Sequence, residues 1–364
     1  MNEDRGNLIS RKKPLYPITN GLNTYLERYR RIRTRGVKYA DLTRYDNSIT
    51  LFDEQGRDTL WSTVFFTDLE QTEVHRALLE TYAVLKSYGD MSAVQDLYVD
   101  RIDLCLYGNT LPYRARIVNK INENFDYFYI KQVDANRIYG LELEHILSPS
   151  RIQYFVNDRT LIEEHIIGIP ARDFLRNDVP EKTFDQVRLA KVFVKFNERC
   201  FVRLLGDMHA GNFVIDVRRD FEKSHYMVRP IDFDQQSHHW RRDVYEPNKY
   251  PNNREFVDLT MHVLSEDNRN QYRLEERAQI ANRILVSHGR FNALISVMEK
   301  DCITEPTNVE RLAEQLAEHY EADAFLRCAS MGALVGKSTR MVLEHGADEP
   351  GPDRSGHDSM SGLA

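Results

Sequence analysis

Apolar residues recur at helical spacing up to about residue 97, alternate with polar ones over the next stretch, and return to helical spacing beyond residue 253. In residues 72–88, Ala77, Leu78, Tyr82 and Leu85 fall three and four apart, which predicts an amphipathic helix. A short strand is expected at 48–52. Residues 113–121 (Y-R-A-R-I-V-N-K-I) alternate apolar with charged positions, 122–125 carry turn chemistry, and 127–132 are aromatic and β-branched, so a β-hairpin is expected. A helix should follow over 135–147, with Asp134 or Asn136 as N-cap and Pro149 beyond its end. Strands fit 152–156 and 160–165, a helix 181–201, and a second hairpin 212–217 with 226–232. Helical patterns then cover 254–264, 274–286 and 309–322.

This order predicts an α+β chain: an N-terminal helical extension (1–97), a small mostly-β lobe with its connection (98–168), a larger mostly-α lobe (169–344) and a tail (345–364). The tail is short of large apolar residues and rich in Gly and Pro. It cannot bury enough surface to offset its ordering entropy, so disorder is expected there.

Composition narrows the class. The chain has 364 residues, 41% hydrophobic and 29% charged, which suits two lobes with cores of their own. A net charge of -7 argues against a nucleic-acid binder held by a broad basic surface. The basic run at 28–38 reads as a solvated helix face, with phosphate contact as the functional alternative. Cys105, Cys200, Cys302 and Cys328 are scattered without a C-x-x-C pair, which favours reduced thiols in a cytoplasmic setting. No signal-like h-region and no run of roughly 18 apolar residues is present, so no membrane association is expected. His238 and His239 lack a third nearby ligand and read as a loop, not a metal site.

The chemistry concentrates between 204 and 235. There the chain reads L-L-G-D-M-H-A-G-N-F-V-I-D-V and then, after a charged insert, Y-M-V-R-P-I-D-F-D-Q. Phosphoryl transfer from a nucleotide needs one carboxylate to orient and deprotonate the attacking hydroxyl. It also needs a carboxamide and a second carboxylate to hold magnesium. Asp207, Asn212 and Asp232 have those types and that order.

On these motifs, G-D-M-H-A-G-N at 206–212 and I-D-F at 231–233, the chain resembles the protein-kinase-like superfamily. It most resembles the aminoglycoside and choline kinase branch, whose catalytic loop reads G-D-x-H-x-G-N. The resemblance spans roughly residues 100–340 and implies a two-lobed protein-kinase-like fold. It implies Asp207 as catalytic base, Asn212 and Asp232 as magnesium ligands, and His209 as a contact for the transferred phosphate. Asp234 stands where protein kinases carry Gly and is either a further metal ligand or an exposed carboxylate. Lys131, inside a predicted strand, would pair with the α- and β-phosphates of ATP, anchored by a glutamate of the following helix. Glu142 falls beside Ile138 and Ile146 on the apolar face and is favoured for that anchor; Glu144 stays open because the apolar stripe is broad. Residues 160–168 resemble the strand and hinge that hold adenine, with the backbone of Glu164 and Ile166 at the purine edge. Glu163 then sits at the gatekeeper position, usually uncharged. No G-x-G-x-x-G precedes Lys131; the nearest glycine is Gly108.

The expected activity is ATP- and Mg2+-dependent phosphorylation of a hydroxyl, on a small molecule in preference to a protein. Two alternatives share the fold: a pseudokinase-type nucleotide-binding or interaction module, and an enzyme transferring AMP in place of phosphate.

Overall fold

The computed structural model describes residues 13–108, 110–175, 184–219 and 224–346. Its N-terminal part holds α1 (Asn20–Arg28), α2 (Tyr39–Leu42), β1 (Asn47–Phe52), β2 (Asp58–Phe65), α3 (Asp68–Ser87), β3 (Leu97–Cys105), β4 (Tyr113–Asn119), β5 (Phe125–Gln132), α4 (Ala135–Leu147), β6 (Tyr154–Asn157) and β7 (Thr160–Glu164). After the connection come β8 (Ile169–Pro170), α5 (Ala171–Phe174), α6 (Gln186–Arg203), β9 (Phe213–Arg219) and β10 (Ser224–Pro230). Five helices close the chain: α7 (Arg254–Val263), α8 (Glu266–Val286), α9 (His288–Met298), α10 (Pro306–Tyr320) and α11 (Met331–Gly346). The α+β, two-lobed architecture expected from the sequence is present: an antiparallel β lobe followed by a helical lobe. The tail beyond residue 346, and residues 181–183 at the start of the helix expected over 181–201, lie outside the described residues.

The β lobe is one seven-stranded antiparallel sheet in the order β1-β2-β3-β4-β5-β7-β6. The sequence pattern gives no strand for 58–65 or 97–105, yet both are strands of this sheet. Residues 47–65, read as part of a helical extension, therefore lengthen the β lobe. Their apolar signal is weak because β1 lies at the sheet edge, with Ile49 and Phe52 exposed.

The two faces of the sheet serve different cores, which follows from the period-2 alternation of a strand. In β6 and β7, Phe155 and Ile162 join Ala115, Ile117, Phe128 and Ile130 under α3, whose Val74, Leu78 and Leu85 complete that core. Tyr154, Val156 and Leu161 point the other way, into the large core shared with α1, α4, α6 and α9. Lys131 and Glu163, each one residue from a position in the first core, project from this second face. Twelve of the thirteen residues of α4 are buried, so its charged side chains must find partners inside the protein.

Asp134, not Asn136, caps α4: its carboxylate accepts from Arg137 N at 3.3 Å. The same carboxylate receives Lys13 Nζ at 2.7 Å and Tyr16 N at 2.9 Å, pinning the N-terminal segment across the start of the helix. The segment then continues between the lobes. Thr19 donates to Asp301, and Arg33 N reaches Val156 O at 2.9 Å beside β6.

Candidate active site

Two short connections bring the acidic residues together. Leaving α6, Leu204 takes a left-handed conformation that ends the helix. Gly206 then packs where a Cβ would stand 2.9 Å from Val244 Cγ1 and 3.0 Å from Gln235 O, so this position requires glycine. Asp207 follows with φ of 61°, a left-handed conformation that costs energy for a residue bearing Cβ. Its N–H is held by Tyr250 Oη at 2.9 Å and Val244 O at 3.2 Å, which fix that conformation.

The carboxylate of Asp207 is poorly matched by its neighbours. Oδ1 is buried without a hydrogen-bond partner among the described residues, and Asn212 Nδ2 reaches Oδ2 only at 3.5 Å. Burial, followed by the nearby charges of Asp232 and Asp234, pushes its pKa up to about 8. Asn212 Nδ2 donates to Asp207 O at 2.8 Å, which ties the two ends of the loop and leaves the carboxamide oxygen without a hydrogen bond among the described residues. Antiparallel pairing of β9 with β10 places Asn212 next to the second acidic segment, where Ile231 N donates to Asn212 O at 2.9 Å.

His209 accepts from Gly211 N through Nδ1 at 3.0 Å. With Nδ1 an acceptor, the neutral ring carries its proton on Nε2. Burial is the main cause that lowers its pKa, so the neutral form prevails at pH 7.

Lys131 meets a glutamate, but neither of those expected. Its Nζ lies 2.9 Å from Glu163 Oε2, on β7. β5 and β7 pair with Tyr129 opposite Glu163 and Lys131 opposite Leu161, so Lys131 and Glu163 are diagonal neighbours on one face. Glu142 is elsewhere: it accepts from Arg31 Nε at 2.9 Å, Arg290 Nη2 at 2.7 Å, Tyr25 Oη at 2.6 Å and Tyr154 Oη at 2.6 Å. Glu144 pairs with Arg203 at the end of α6. The reason is register. α4 begins three residues after the end of β5, so its first turn lies beside Lys131, while Glu142 sits about 10 Å further along at 1.5 Å per residue. Arg31, within the basic run read as a solvated face, is thereby a buried partner.

The residue that does face Lys131's partner is Arg137, in the first turn of α4, and sequence reasoning missed it. It is 1% exposed. Its Nε and Nη2 grip Glu163 at 2.5 and 2.7 Å, while Nη1 lies 2.7 Å from Asp232 Oδ1 and 2.8 Å from Asp234 Oδ1. Burial would raise the pKa of Glu163, but Arg137 and then Lys131 outweigh it and bring it to about 2. Burial and Arg137 act on Asp232 in the same opposed way, with the net result below the usual range. Asp234 goes up, through burial and its neighbour Asp232. Lys131 is pushed down by burial and by Arg137. Glu163 thus joins the strand lysine to the arginine that holds both aspartates.

Close packing sets this geometry. Gly140, one turn beyond Arg137, has Phe233 against it: a Cβ there would stand 2.9 Å from Phe233 Cβ and 3.2 Å from Gln236 Cβ. The guanidinium groups of Arg137 and Arg203 lie 5.8 and 5.7 Å from the Phe233 ring.

At the connection, Glu164 N is bonded to Gln153 O at 3.0 Å and its side chain accepts from Gln153 N. Ile166 is buried, and its N–H has no partner among the described residues. Of the two expected purine contacts, the Ile166 N–H is the one left free. His238 and His239 turn their Nδ1 atoms to Ile303 O and Arg241 N, as loop residues.

The donors suit magnesium. Among the described residues no group of three or more His, Cys, Asp or Glu side chains could hold a metal. The second oxygens of Asp232 and Asp234 and the carboxamide oxygen of Asn212 nevertheless make no hydrogen bond there. One or two carboxylates with hard oxygens, completed by phosphate, is how Mg2+ is commonly held. The unpartnered Asp207 Oδ1 marks the same region as short of positive charge.

No family model matches the chain, and no curated protein matches it. Among solved structures it is similar to Rio2 kinase from Chaetomium thermophilum. In the ADP/Mg2+-phosphoaspartate complex of that protein, identity is 12%, 83% of this chain and 81% of that chain are covered, and the TM-score is 0.28. In a second Rio2 structure from the same organism the values are 12%, 75%, 83% and 0.34.

Proposed function

We propose that this protein is a phosphotransferase that moves the γ-phosphoryl group of ATP to a hydroxyl with the help of magnesium. The observation that carries the reading is the convergence of Lys131, of Asp207 with Asn212, and of Asp232 from three separate segments onto one site. Within it Asp207 is half-buried, strained and incompletely hydrogen-bonded, with Oδ1 out of contact with water. A carboxylate with a raised pKa near neutrality is suited to accept a proton from an attacking hydroxyl.

Asp207 orients the acceptor and takes its proton. Neutral His209 offers Nε2–H as a donor to the phosphoryl oxygens. Lys131, kept in place by Glu163, supplies positive charge toward the α- and β-phosphates, and the free N–H of Ile166 is available to the adenine edge. Asn212 and Asp232, with Asp234 beside them, would hold the metal, which when bound offsets phosphate charge. A small-molecule acceptor is favoured over a protein on the motif of residues 206–212.

Replacement of Asp207 by Ala tests the assignment. Radiolabelled γ-phosphate transfer should fall by about 10² to 10⁴, while ATP-analogue affinity by calorimetry stays within a few-fold. Equal turnover in the two forms removes Asp207 from the role. Release of AMP or pyrophosphate in place of ADP would establish nucleotidyl transfer instead.

A further inference from the structure

The Nη1 atom of Arg137 occupies a chemically particular position. It sits 2.7 Å from Asp232 Oδ1 and 2.8 Å from Asp234 Oδ1, bridging two carboxylates that otherwise repel each other. One or two carboxylates around a positive centre is also how a divalent metal ion such as Mg2+ is commonly held. We propose that Arg137 is a tethered cation filling the place between Asp232 and Asp234, so that the nucleotide-bound site takes one divalent metal ion per chain. This rests on the phosphotransferase reading above and specifies its metal requirement.

Three features keep the guanidinium in place. It is gripped on its far side by both oxygens of Glu163, so withdrawal would leave that buried carboxylate with Lys131 alone. It belongs to α4, which Gly140 seats directly on Phe233, between the two aspartates. It also donates to Ile231 O at 3.3 Å, so it is oriented by the backbone that carries Asp232. The sequence shows the matching change: the residue after I-D-F is Asp234 where protein kinases carry Gly, and Arg137 offsets the carboxylate it adds beside Asp232. A metal entering beside Asn212 finds only the second oxygen of each aspartate.

Equilibrium dialysis with Mn2+ and a saturating non-hydrolysable ATP analogue, counting bound metal by atomic emission, tests this on the full chain. Wild type should bind metal, nucleotide and protein at 1:1:1. R137Q should gain a second Mn2+, and R137Q/D234N, which restores the charge balance and guards against misfolding of the single variant, should return to one. Two Mn2+ in wild type, or one in a folded R137Q, overturns the role of Arg137 and leaves the phosphotransferase reading intact. Nucleotide bound without metal, or neither bound, overturns that reading and the inference with it.

Discussion

At the residue scale the protein is organised by unequal pairing of charge. Arg137 and Lys131 satisfy Glu163 and hold Asp232 below its usual range, while Asp207 is left with a pKa of about 8. The consequence for pH has a definite sign. The unfolded chain releases the Asp207 proton near 3.8, whereas the folded protein keeps it to about 8. The folded state therefore binds more protons across that window, and stability falls as pH rises through it. Asn at 207 has no proton to lose. The melting temperature of D207N should exceed that of wild type by a margin that grows from pH 5 to pH 8 and then levels. A margin independent of pH would show that Asp207 titrates normally. In the same window, wild-type transfer should accelerate with pH as the base ionises.

This scale is also where the sequence was least legible. The D-x-x-x-x-N spacing of Asp207 and Asn212 and the I-D-F run were visible because backbone geometry ties them to a loop and a hairpin. Arg137 carried no such mark. An arginine in a helix ordinarily faces water, and only the fold shows that this one is surrounded by three carboxylates. Glu142 misled for the complementary reason: it lies on the apolar face, and burial there was taken to mean proximity to Lys131. Its actual partners, Arg31 and Arg290, come from segments 111 and 148 residues away.

Among the elements, α4 was the most readable from its period and cap, and its neighbours the least. The hairpin of β4 and β5 followed from alternation and turn chemistry, and β6 and β7 overlap the strands expected at 152–156 and 160–165, though their pairing was not legible. β2 was missed because exposed Leu60 and Phe65 and polar Ser62 and Thr63 blur its two-residue period. The contact of α4 with the 231–236 loop invites a direct test. G140A adds a methyl whose nearest neighbours are the Cβ atoms of Phe233 and Gln236, which are fixed to backbone and cannot swing aside. Alanine gains about 1 kcal/mol in helix propensity, against about 1–3 kcal/mol for overpacking. Net stability should thus change little or fall slightly. Activity should suffer more, by about 10-fold or greater, because Asp232 and Asp234 are displaced with the loop. Steady-state kinetics alongside thermal denaturation will separate the two effects; a fully active G140A would show that the loop moves freely of the helix.

For the molecule as a whole, Glu142 is the junction. Through it α4 is joined to the N-terminal segment by Arg31 and Tyr25 and to α9 by Arg290. Removing a buried partner of this kind leaves uncompensated charge and costs about 3–5 kcal/mol. E142Q should lose about that much in urea denaturation, with nucleotide affinity unchanged once folded. A loss of nucleotide binding in a folded E142Q would restore the anchoring role first expected of it. Among the described residues no helix is long and apolar enough to cross a membrane.

The seating of α4 has a consequence in time. α4 is bonded to α6 through Arg203, to α9 through Arg290 and to the 231–236 loop through Asn136, and also to β7 through Glu163 and to β6 through Tyr154, so it ties that edge of the sheet to the helical lobe. Its amides should be among the slowest to exchange, opening only with the whole molecule, which hydrogen exchange read by mass spectrometry will check. Faster opening is then expected at the opposite edge of the sheet, in β1 and β2.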